Sequence, residues 1–316
     1  MILFYDIASS LPTKAWSPNA WKTRLALNHK RIPYKTIWVL YADIEKASRQ
    51  LGALPTRKKI DGVTDCWTLP CIWDLSTGAI IADSTKIAIY LDATYPASPE
   101  SPSSPPIRNL MPTDTTFPLF MALEASMLPL FHPLYLFAIP ASDALLDERS
   151  QTAFRFKREK VHGKPMHLIS PRPGTEEDKV EWAKVEAAFG MVHNWCLDTA
   201  AAGLRRAVWR SADQVGEDGM PTGIGDVLTG TGDVLTGVKV NGEQKALTNG
   251  DGEKRENTYI LETLEPTYAD LWLGGYLIWI KLVLPAEKWE SVCGWHGGRW
   301  ARLVEGLEAG GWMEVI

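Results

Sequence analysis

The amino-acid sequence predicts an α/β domain over residues 1–97, a linker over 98–109 and an all-α domain over 110–316. Three observations carry this prediction. Short β-branched runs alternate with helical periodicity before the linker, the linker is rich in proline and serine, and strand signals are nearly absent after it. At ~100–200 residues per domain, a chain of 316 residues also suggests two domains.

The first domain has the predicted order β-α-β-α-β-β-α. Its first half is a βαβ unit, which implies parallel strands joined by a right-handed crossover, and its last two strands form a hairpin. The first helix places apolar side chains between basic ones, as an amphipathic helix does. The predicted strands are Ile2–Ile7, Tyr34–Leu40, Thr68–Leu75 and Ala79–Asp83, and the predicted helices are Pro18–Lys30, Asp43–Gly52 and Ser84–Pro96, the last capped by Ser84.

The second domain is predicted from helical periodicity alone. Residues 211–256 interrupt this pattern: GDVLTG occurs twice, and Asn241-Gly242 could turn a small hairpin. The glycines match neither G-x-G-x-x-G nor G-x-x-x-x-G-K-[ST], so we interpret the segment as a surface insertion and not as a phosphate-binding loop. The predicted helices are Thr116–Phe137, Leu146–Val161, Glu176–Thr199, Thr267–Leu284 and Trp300–Leu307.

The composition argues against several classes of function. The net charge of -5 provides no basic surface for nucleic acid, and no apolar run reaches the ~18 residues that a membrane span needs. The four cysteines suggest neither a disulfide framework nor a metal site by their spacing. We therefore expect a cytoplasmic protein that holds no metal ion.

The segment AWSPNAWKTR places a hydroxyl group at the start of a helix. Ser17 precedes Pro18, and serine at the N-cap with proline at the first helical position is an ordinary helix start. A helix N-terminus also offers free N–H groups and a partial positive charge, which suit an anion. Competing candidates for a reactive hydroxyl are Tyr5, near the end of the first strand, and Ser9 and Ser10 just after it.

Two further steps in the chain suggest a ligand site. Pro70 begins a strand that we expect inside the sheet, where a proline cannot donate to the ladder. A cis Leu69-Pro70 bond is one solution, and it would turn the backbone of Leu69 toward a ligand. Asp83 and Ser84 lie where the last strand ends and a helix begins, either as a plain N-cap or as a site for an ammonium and a carboxylate. Cys71, next to Pro70, is expected to be a buried core residue.

These features together resemble the glutathione transferase superfamily. SPNAWKTRLALNHKRIPYKTIWV looks like the first helix and second strand of the fungal etherase-related FuA class and of the bacterial β-etherases. EPTYADLWLGGYLIWIKLVLP resembles the buried helix of the superfamily with its Thr267-x-x-Asp270 capping box, and GWHGGRWARL resembles the C-terminal segment of the class. The resemblance covers about residues 1–208 and 258–307, and the insertion falls outside it.

The resemblance implies a thioredoxin-like first domain that binds glutathione and an all-α second domain that supplies an electrophile pocket. Ser17 then falls where serine- and cysteine-type members keep their catalytic side chain, and Asn19 is a candidate second donor to sulfur. The backbone of Leu69 would pair with the cysteinyl part of glutathione, next to Pro70. Asp83 and Ser84 would hold the γ-glutamyl ammonium and carboxylate.

The aromatic stretch MLPLFHPLYLF is expected to help wall the electrophile pocket, together with its His132. Core packing is the alternative for each residue of this set. The predicted lining residues are Met121, Met127, Phe131 and Tyr135.

The leading hypothesis is a glutathione transferase that uses the glutathione thiolate to attack hydrophobic aromatic electrophiles, for detoxification or for β-aryl ether cleavage. Because serine cannot form a mixed disulfide, Ser17 argues for conjugation over thiol exchange. The alternatives are a ligandin that binds aromatic polyphenols with little catalysis, and a regulatory or structural protein that reuses the fold. Glutathione is the expected co-substrate, and a homodimer is left open.

Overall fold

The computed structural model groups the chain into two compact units, Met1–Met191 with Thr258–Ile316, and Val192–Asn257. All residues discussed below as part of the site lie in the first unit. Residues 212–256 of the predicted insertion, with the Asn241-Gly242 turn, lie outside the described residues, as does part of the predicted linker. The structure describes residues 1–99, 107–111, 116–211, 259 and 265–316.

Six strands lie in the described part of the α/β region. They are β1 (Ile2–Ile7), β2 (Tyr34–Val39), β3 (Arg57–Lys58), β4 (Asp65–Cys66), β5 (Cys71–Asp74) and β6 (Ile80–Ala82). The main sheet has the order β2-β1-β5-β6, with β1 parallel to β2 and the other pairs antiparallel. The predicted βαβ unit and final hairpin are therefore confirmed. The β3–β4 hairpin was not predicted, because strands of two residues show no alternation.

The helices of the α/β region follow the predicted order. Pro18 starts the first helix because its missing N–H costs nothing there, and Gly52, with φ of 84°, ends the second in the left-handed conformation that glycine adopts freely. The expectation of an amphipathic first helix is wrong, since both Lys22 and Arg24 are buried. The helices are α1 (Pro18–His29), α2 (Ile44–Leu51), after a 3-10 turn, and α3 (Ser84–Thr94).

The second region is helical throughout its described residues. The helix predicted over Thr116–Phe137 is in fact two helices that meet at Phe131 and are bent by 71°. The break lies between Pro129 and Pro133, which lack the N–H groups that a continuous helix would use. The nine-residue helix Ala286–Gly294 was not predicted. The helices are α4 (Thr116–Leu130), α5 (His132–Asp143), α6 (Glu148–His162), α7 (Glu176–Ser211), α8 (Tyr268–Val283), α9 (Ala286–Gly294) and α10 (Arg299–Ala309).

The α8 helix forms the centre of the core. The Asp270 carboxylate accepts a hydrogen bond of 2.8 Å from the Thr267 N–H, which closes the predicted capping box. Trp272 stacks on Phe131 at 5.7 Å between ring centroids, and Tyr276 meets Phe131 edge-on at 4.7 Å. Among the described helices, none is by itself long and apolar enough to cross a membrane, and only the bent α4–α5 pair reaches that composition.

Candidate functional site

The site candidates converge on one edge of the sheet. β5 begins at Cys71, which lies opposite Tyr5 of β1 and opposite Ala82 at the end of β6. The start of β5 and the ends of β1 and β6 therefore lie at the same edge. The Asp83 N–H donates to the Pro70 carbonyl oxygen over 3.2 Å, and the Leu69-Pro70 bond is cis. The strand register thus places the two predicted ligand-binding segments, Leu69-Pro70 and Asp83-Ser84, next to each other.

Ser17 occupies the N-cap of α1, as the sequence predicts, and it is only 5% exposed. Its backbone is extended, and its carbonyl oxygen accepts the Trp21 N–H over 2.9 Å as the first helical bond. Its hydroxyl makes no capping hydrogen bond. The position predicted for Ser17 is confirmed, but the hydroxyl is not spent on the cap and remains available for another partner.

Asp83, and not Ser84, caps α3. The Asp83 carboxylate accepts hydrogen bonds from the N–H groups of Thr85 at 3.0 Å and Lys86 at 3.1 Å. Ser84 is therefore the first residue of the helix, and it is 7% exposed. The cap was misassigned because two adjacent residues both have cap-forming side chains. Asp83 adopts a φ of 91°, which is rare outside glycine.

The rival hydroxyl groups of Ser9, Ser10 and Tyr5 differ from Ser17 in bonding, exposure or pKa. Ser9 donates to the Lys14 carbonyl oxygen at 2.9 Å and accepts the Leu11 N–H at 3.2 Å, so it fixes the loop after β1. Ser10 is exposed. Burial raises the pKa of Tyr5, with a further increase from Cys71, which opposes phenolate formation. The geometry favours Ser17 among these candidates.

The predicted electrophile-pocket residues fall into two groups. Met127 and Phe131 are completely buried, which is the core packing left open as the alternative. Met121 is 40% exposed, and Tyr135 is half-buried with its hydroxyl 3.0 Å from that of Tyr276. His132 is exposed at the start of α5. Only Met121, Tyr135 and His132 of this set therefore present surface to solvent.

An aromatic cluster beside Ser17 was not singled out from the sequence. Trp16 precedes Ser17 and meets Phe154 of α6 edge-on at 6.4 Å between ring centroids. Phe154 in turn meets Tyr41 edge-on at 4.9 Å. The sequence did hold one signal, because a tryptophan stands directly before the candidate serine. Phe154 and Tyr41 become neighbours only through the fold.

Two charged residues near the site were also missed. Lys22, five residues after Ser17, is 2% exposed and donates to the Asn19 side-chain oxygen over 2.9 Å. Glu124 of α4 accepts hydrogen bonds from Trp272 Nε1 at 2.9 Å and from the Thr85 hydroxyl at 3.2 Å. No sequence pattern marks these residues, since a lysine or a glutamate on a helix is usually solvated. Among the described residues, no cluster of three His, Cys, Asp or Glu side chains could hold a metal ion.

Two family models match the chain. The model of the glutathione S-transferase N-terminal domain matches residues 16–94, and that of the glutathione S-transferase C-terminal domain matches residues 122–204 and 239–309. A curated relative, the glutathione S-transferase-like protein ustS of Aspergillus flavus, is 33% identical over 182 residues. That match covers 55% of this chain and 60% of the relative's length.

Solved structures of fungal transferases are similar over nearly the whole chain. A glutathione S-transferase of Ceriporiopsis subvermispora, in complex with glutathione, has a TM-score of 0.71 and 31% identity, and the match covers 100% of this chain and 98% of that one. The glutathione transferase GSTFuA3 of Phanerochaete chrysosporium has a TM-score of 0.66 and 28% identity, with coverage of 98% and 96%.

Proposed function

Because the chain belongs to the glutathione S-transferase family, we propose that it is a transferase in which the Ser17 hydroxyl stabilises the glutathione thiolate. One observation supports this most directly. A buried hydroxyl that makes no capping bond stands at the start of α1, the segment that most resembles the FuA class. The solved structure of a fungal relative in complex with glutathione supports glutathione as the co-substrate.

The energy required is within reach of such a site. A thiol of pKa ~8.5 is only a few per cent thiolate at pH 7, and lowering its pKa by about two units takes ~2.7 kcal/mol. A hydroxyl that donates to a charged acceptor contributes ~1.5–3 kcal/mol. A helix N-terminus adds ~0.3–1 kcal/mol. Ser17 can therefore stabilise the thiolate without acting as a nucleophile.

The remaining glutathione contacts follow from the sheet edge. The Leu69 backbone, before cis Pro70, would pair with the cysteinyl part of glutathione. The N–H and hydroxyl of Ser84, the first residue of α3, would bind the γ-glutamyl carboxylate, and the Asp83 carboxylate, which already accepts the Thr85 and Lys86 N–H groups, would bind the ammonium group. The hydrogen bond from the Asp83 N–H to the Pro70 carbonyl oxygen supports this arrangement, because it holds Leu69-Pro70 and Asp83-Ser84 side by side.

The electrophile is proposed to be hydrophobic and aromatic, with β-aryl ethers as a candidate class. Met121 and Tyr135, the predicted lining residues that present apolar or aromatic surface to solvent, support this proposal, whereas Trp16 and Phe154 beside Ser17 are 4% and 1% exposed and pack in the core. A cytoplasmic location in detoxification is part of the same proposal, and the four free cysteines are consistent with it. Native mass measurement would decide between a monomer and a homodimer.

The Ser17 role is tested by the ultraviolet absorbance of the glutathione thiolate bound to the protein. We expect Ser17→Ala to lose most of this absorbance at pH 7, because the thiol pKa returns toward its free value. Ser10→Ala is the matched control, since it removes an exposed hydroxyl from the neighbouring loop. An unchanged spectrum in Ser17→Ala, or an equal loss in Ser10→Ala, would contradict the assignment.

The chemistry is tested separately with electrophiles. Turnover of a β-aryl ether would identify an etherase, and turnover of other aromatic electrophiles alone would identify a general conjugating enzyme. Tight binding of aromatic ligands without turnover of any electrophile would instead identify a ligandin.

A further inference from the structure

Lys22 is buried between α1 and α8. Its side chain is 2% exposed, and its Nζ lies 4.5 Å from the ring centroid of Trp272 and 4.3 Å from that of Tyr276. Burial lowers the pKa of Lys22 to about 7, against the opposing attraction of Glu124 and Asp83. Burying an ammonium group lowers the stability of the folded protein. An apolar side chain would fill the same space without this cost, so packing does not explain why a lysine is found here.

Among the described residues, the side chain that accepts a hydrogen bond from Lys22 is that of Asn19. Nζ donates to the Asn19 Oδ1 over 2.9 Å, across the three-residue spacing that brings side chains together on a helix. The charged form of Lys22 can only donate, so at pH values below its pKa of about 7 Lys22 fixes which way the Asn19 amide faces, whereas the neutral amine can also accept. Among the described residues, Nδ2 of Asn19 has no acceptor, and the Asn19 side chain is exposed. Both of its N–H bonds are thus available to a ligand at the start of α1.

We propose that Lys22 is a positioning residue: it holds the Asn19 amide so that Nδ2 donates to the sulfur of glutathione bound at Ser17. This inference rests on the proposed function. Ser17 is the N-cap of α1 and Asn19 is its second residue, so both side chains belong to the same helix start. Without Lys22, an exposed asparagine would populate several rotamers, and the amide oxygen would face the thiolate in some of them.

The other polar groups around Lys22 do not replace it as the hydrogen-bond donor to Asn19. Glu124 on α4 is already bonded to Trp272 and Thr85, and Asp83 caps α3. Burial raises the pKa of Tyr276 on α8 well above its ordinary value, so its ring faces Lys22 as a neutral phenol. The two aromatic rings stabilise the cation without competing for its hydrogen bond to Asn19.

The test compares Lys22→Met, Asn19→Ala and the double variant by titrating the absorbance of glutathione thiolate on the protein. Each single variant should raise the pKa of the bound thiol by about one unit. At pH values well below that pKa, this lowers the fraction of bound glutathione present as thiolate about tenfold. The double variant should raise it no further than either single change. Lys22→Gln, which keeps a polar but shorter side chain, should give the same shift as Lys22→Met and serves if the latter does not fold.

Lys30→Met is the matched control. Lys30 is a second fully buried lysine, and it follows the last residue of α1, at the opposite end of the helix from Ser17. Unlike Lys22, it forms an ion pair, with Asp92 at 2.7 Å. Its replacement should lower stability and leave the thiol pKa unchanged. A normal thiol pKa in both Lys22 variants, while Ser17→Ala raises it, would overturn the role of Lys22 alone. Additive shifts in the double variant would overturn the action through Asn19. Absence of any thiolate on the wild-type protein would defeat the proposed function itself.

Discussion

Gly275 of α8 lies so close to Pro18 that a Cβ atom at position 275 would come within 2.6 Å of the Pro18 carbonyl oxygen. The same Cβ would be 2.9 Å from Cγ of Lys22. The buried helix of the second region therefore packs directly against the first turn of α1, where Ser17 is held.

Gly275→Ala should destabilise the protein by about 1–3 kcal/mol, the usual cost of overpacking. The helix preference of alanine over glycine, ~1 kcal/mol, acts in the opposite direction but cannot move a backbone oxygen. We also expect a weaker thiolate signal, because α8 must push the start of α1 away. Urea unfolding and glutathione titration measure the two effects.

Gly274→Ala is the comparison. Its Cβ would meet Cδ1 of Leu307 at 2.5 Å, which is the end of a side chain that can rotate. We expect a smaller loss of stability and an unchanged thiolate signal. Equal behaviour of the two variants would show that the close contact at Pro18 has no special role.

Asp83 allows its capping and its ligand-binding roles to be separated. Asp83→Ala removes the acceptor of the Thr85 and Lys86 N–H groups and should cost about 1–2 kcal/mol of stability. Asp83→Asn keeps an acceptor oxygen and tolerates the positive φ, so its stability should be near that of the wild type. Both variants should raise the KM for glutathione about tenfold, since a lost charge contact of ~1.4 kcal/mol corresponds to that factor. A KM that rises only in Asp83→Ala would mean that Asp83 acts through the cap alone.

Breaking the buried ion pair of Arg24 and Asp6 should cause a large loss of stability. The guanidinium and carboxylate are 2.7 Å apart, and both side chains are almost fully buried. Arg24→Met should cost about 3–5 kcal/mol, because it leaves an uncompensated buried carboxylate. Arg49→Met, which breaks an exposed pair with Glu45, should cost less than ~1 kcal/mol. Chemical unfolding of both variants at one pH gives the comparison, and similar losses would contradict it.

His29 should make the protein sensitive to acid. Burial lowers its pKa to about 4, with additional repulsion from Lys30 and Arg108. In the unfolded chain the pKa is ~6.5, so the unfolded state binds more protons between these values and stability falls as pH decreases from ~6.5 to ~4. At 1.36 kcal/mol per unit the contribution is about 3 kcal/mol, and it does not change further at lower pH.

His29→Phe keeps an aromatic ring against Trp312 and removes this titration. The difference in unfolding free energy between the variant and the wild type should therefore grow from pH 7 to pH 4. A constant difference across that range would count against a neutral buried histidine.

The fold was predictable where the sequence pattern is local. β1 has the predicted bounds, Ile2–Ile7, and the order of the main sheet follows from its βαβ unit and hairpin. The error at Phe131 arose because apolar periodicity continues through the break, whereas Pro129 and Pro133 decide where the helix bends. Apolar periodicity shows which face of a helix is buried, whereas the positions of prolines show where the helix is interrupted.

The site was predictable to the extent that helix starts mark it. Ser17 and Asp83 are recognisable from their places at α1 and α3. Lys22 and Glu124 are not, because Lys22 is buried against α8 and Glu124 is hydrogen-bonded to Trp272 of α8, a helix that comes far later in the chain. A basic residue on a short helix is solvated in most proteins, and only the tertiary structure shows an exception.

Cys71 gives the site an unexpected chemical property. It follows cis Pro70, yet burial raises its pKa to about 12, so almost none of it is thiolate near neutral pH. Alkylating agents and peroxides react with thiolates, and Cys71 should therefore resist both. Around the proposed glutathione site, the reactive sulfur would be the one that arrives with each molecule of co-substrate. Such a protein can handle electrophiles repeatedly without alkylating itself at this position.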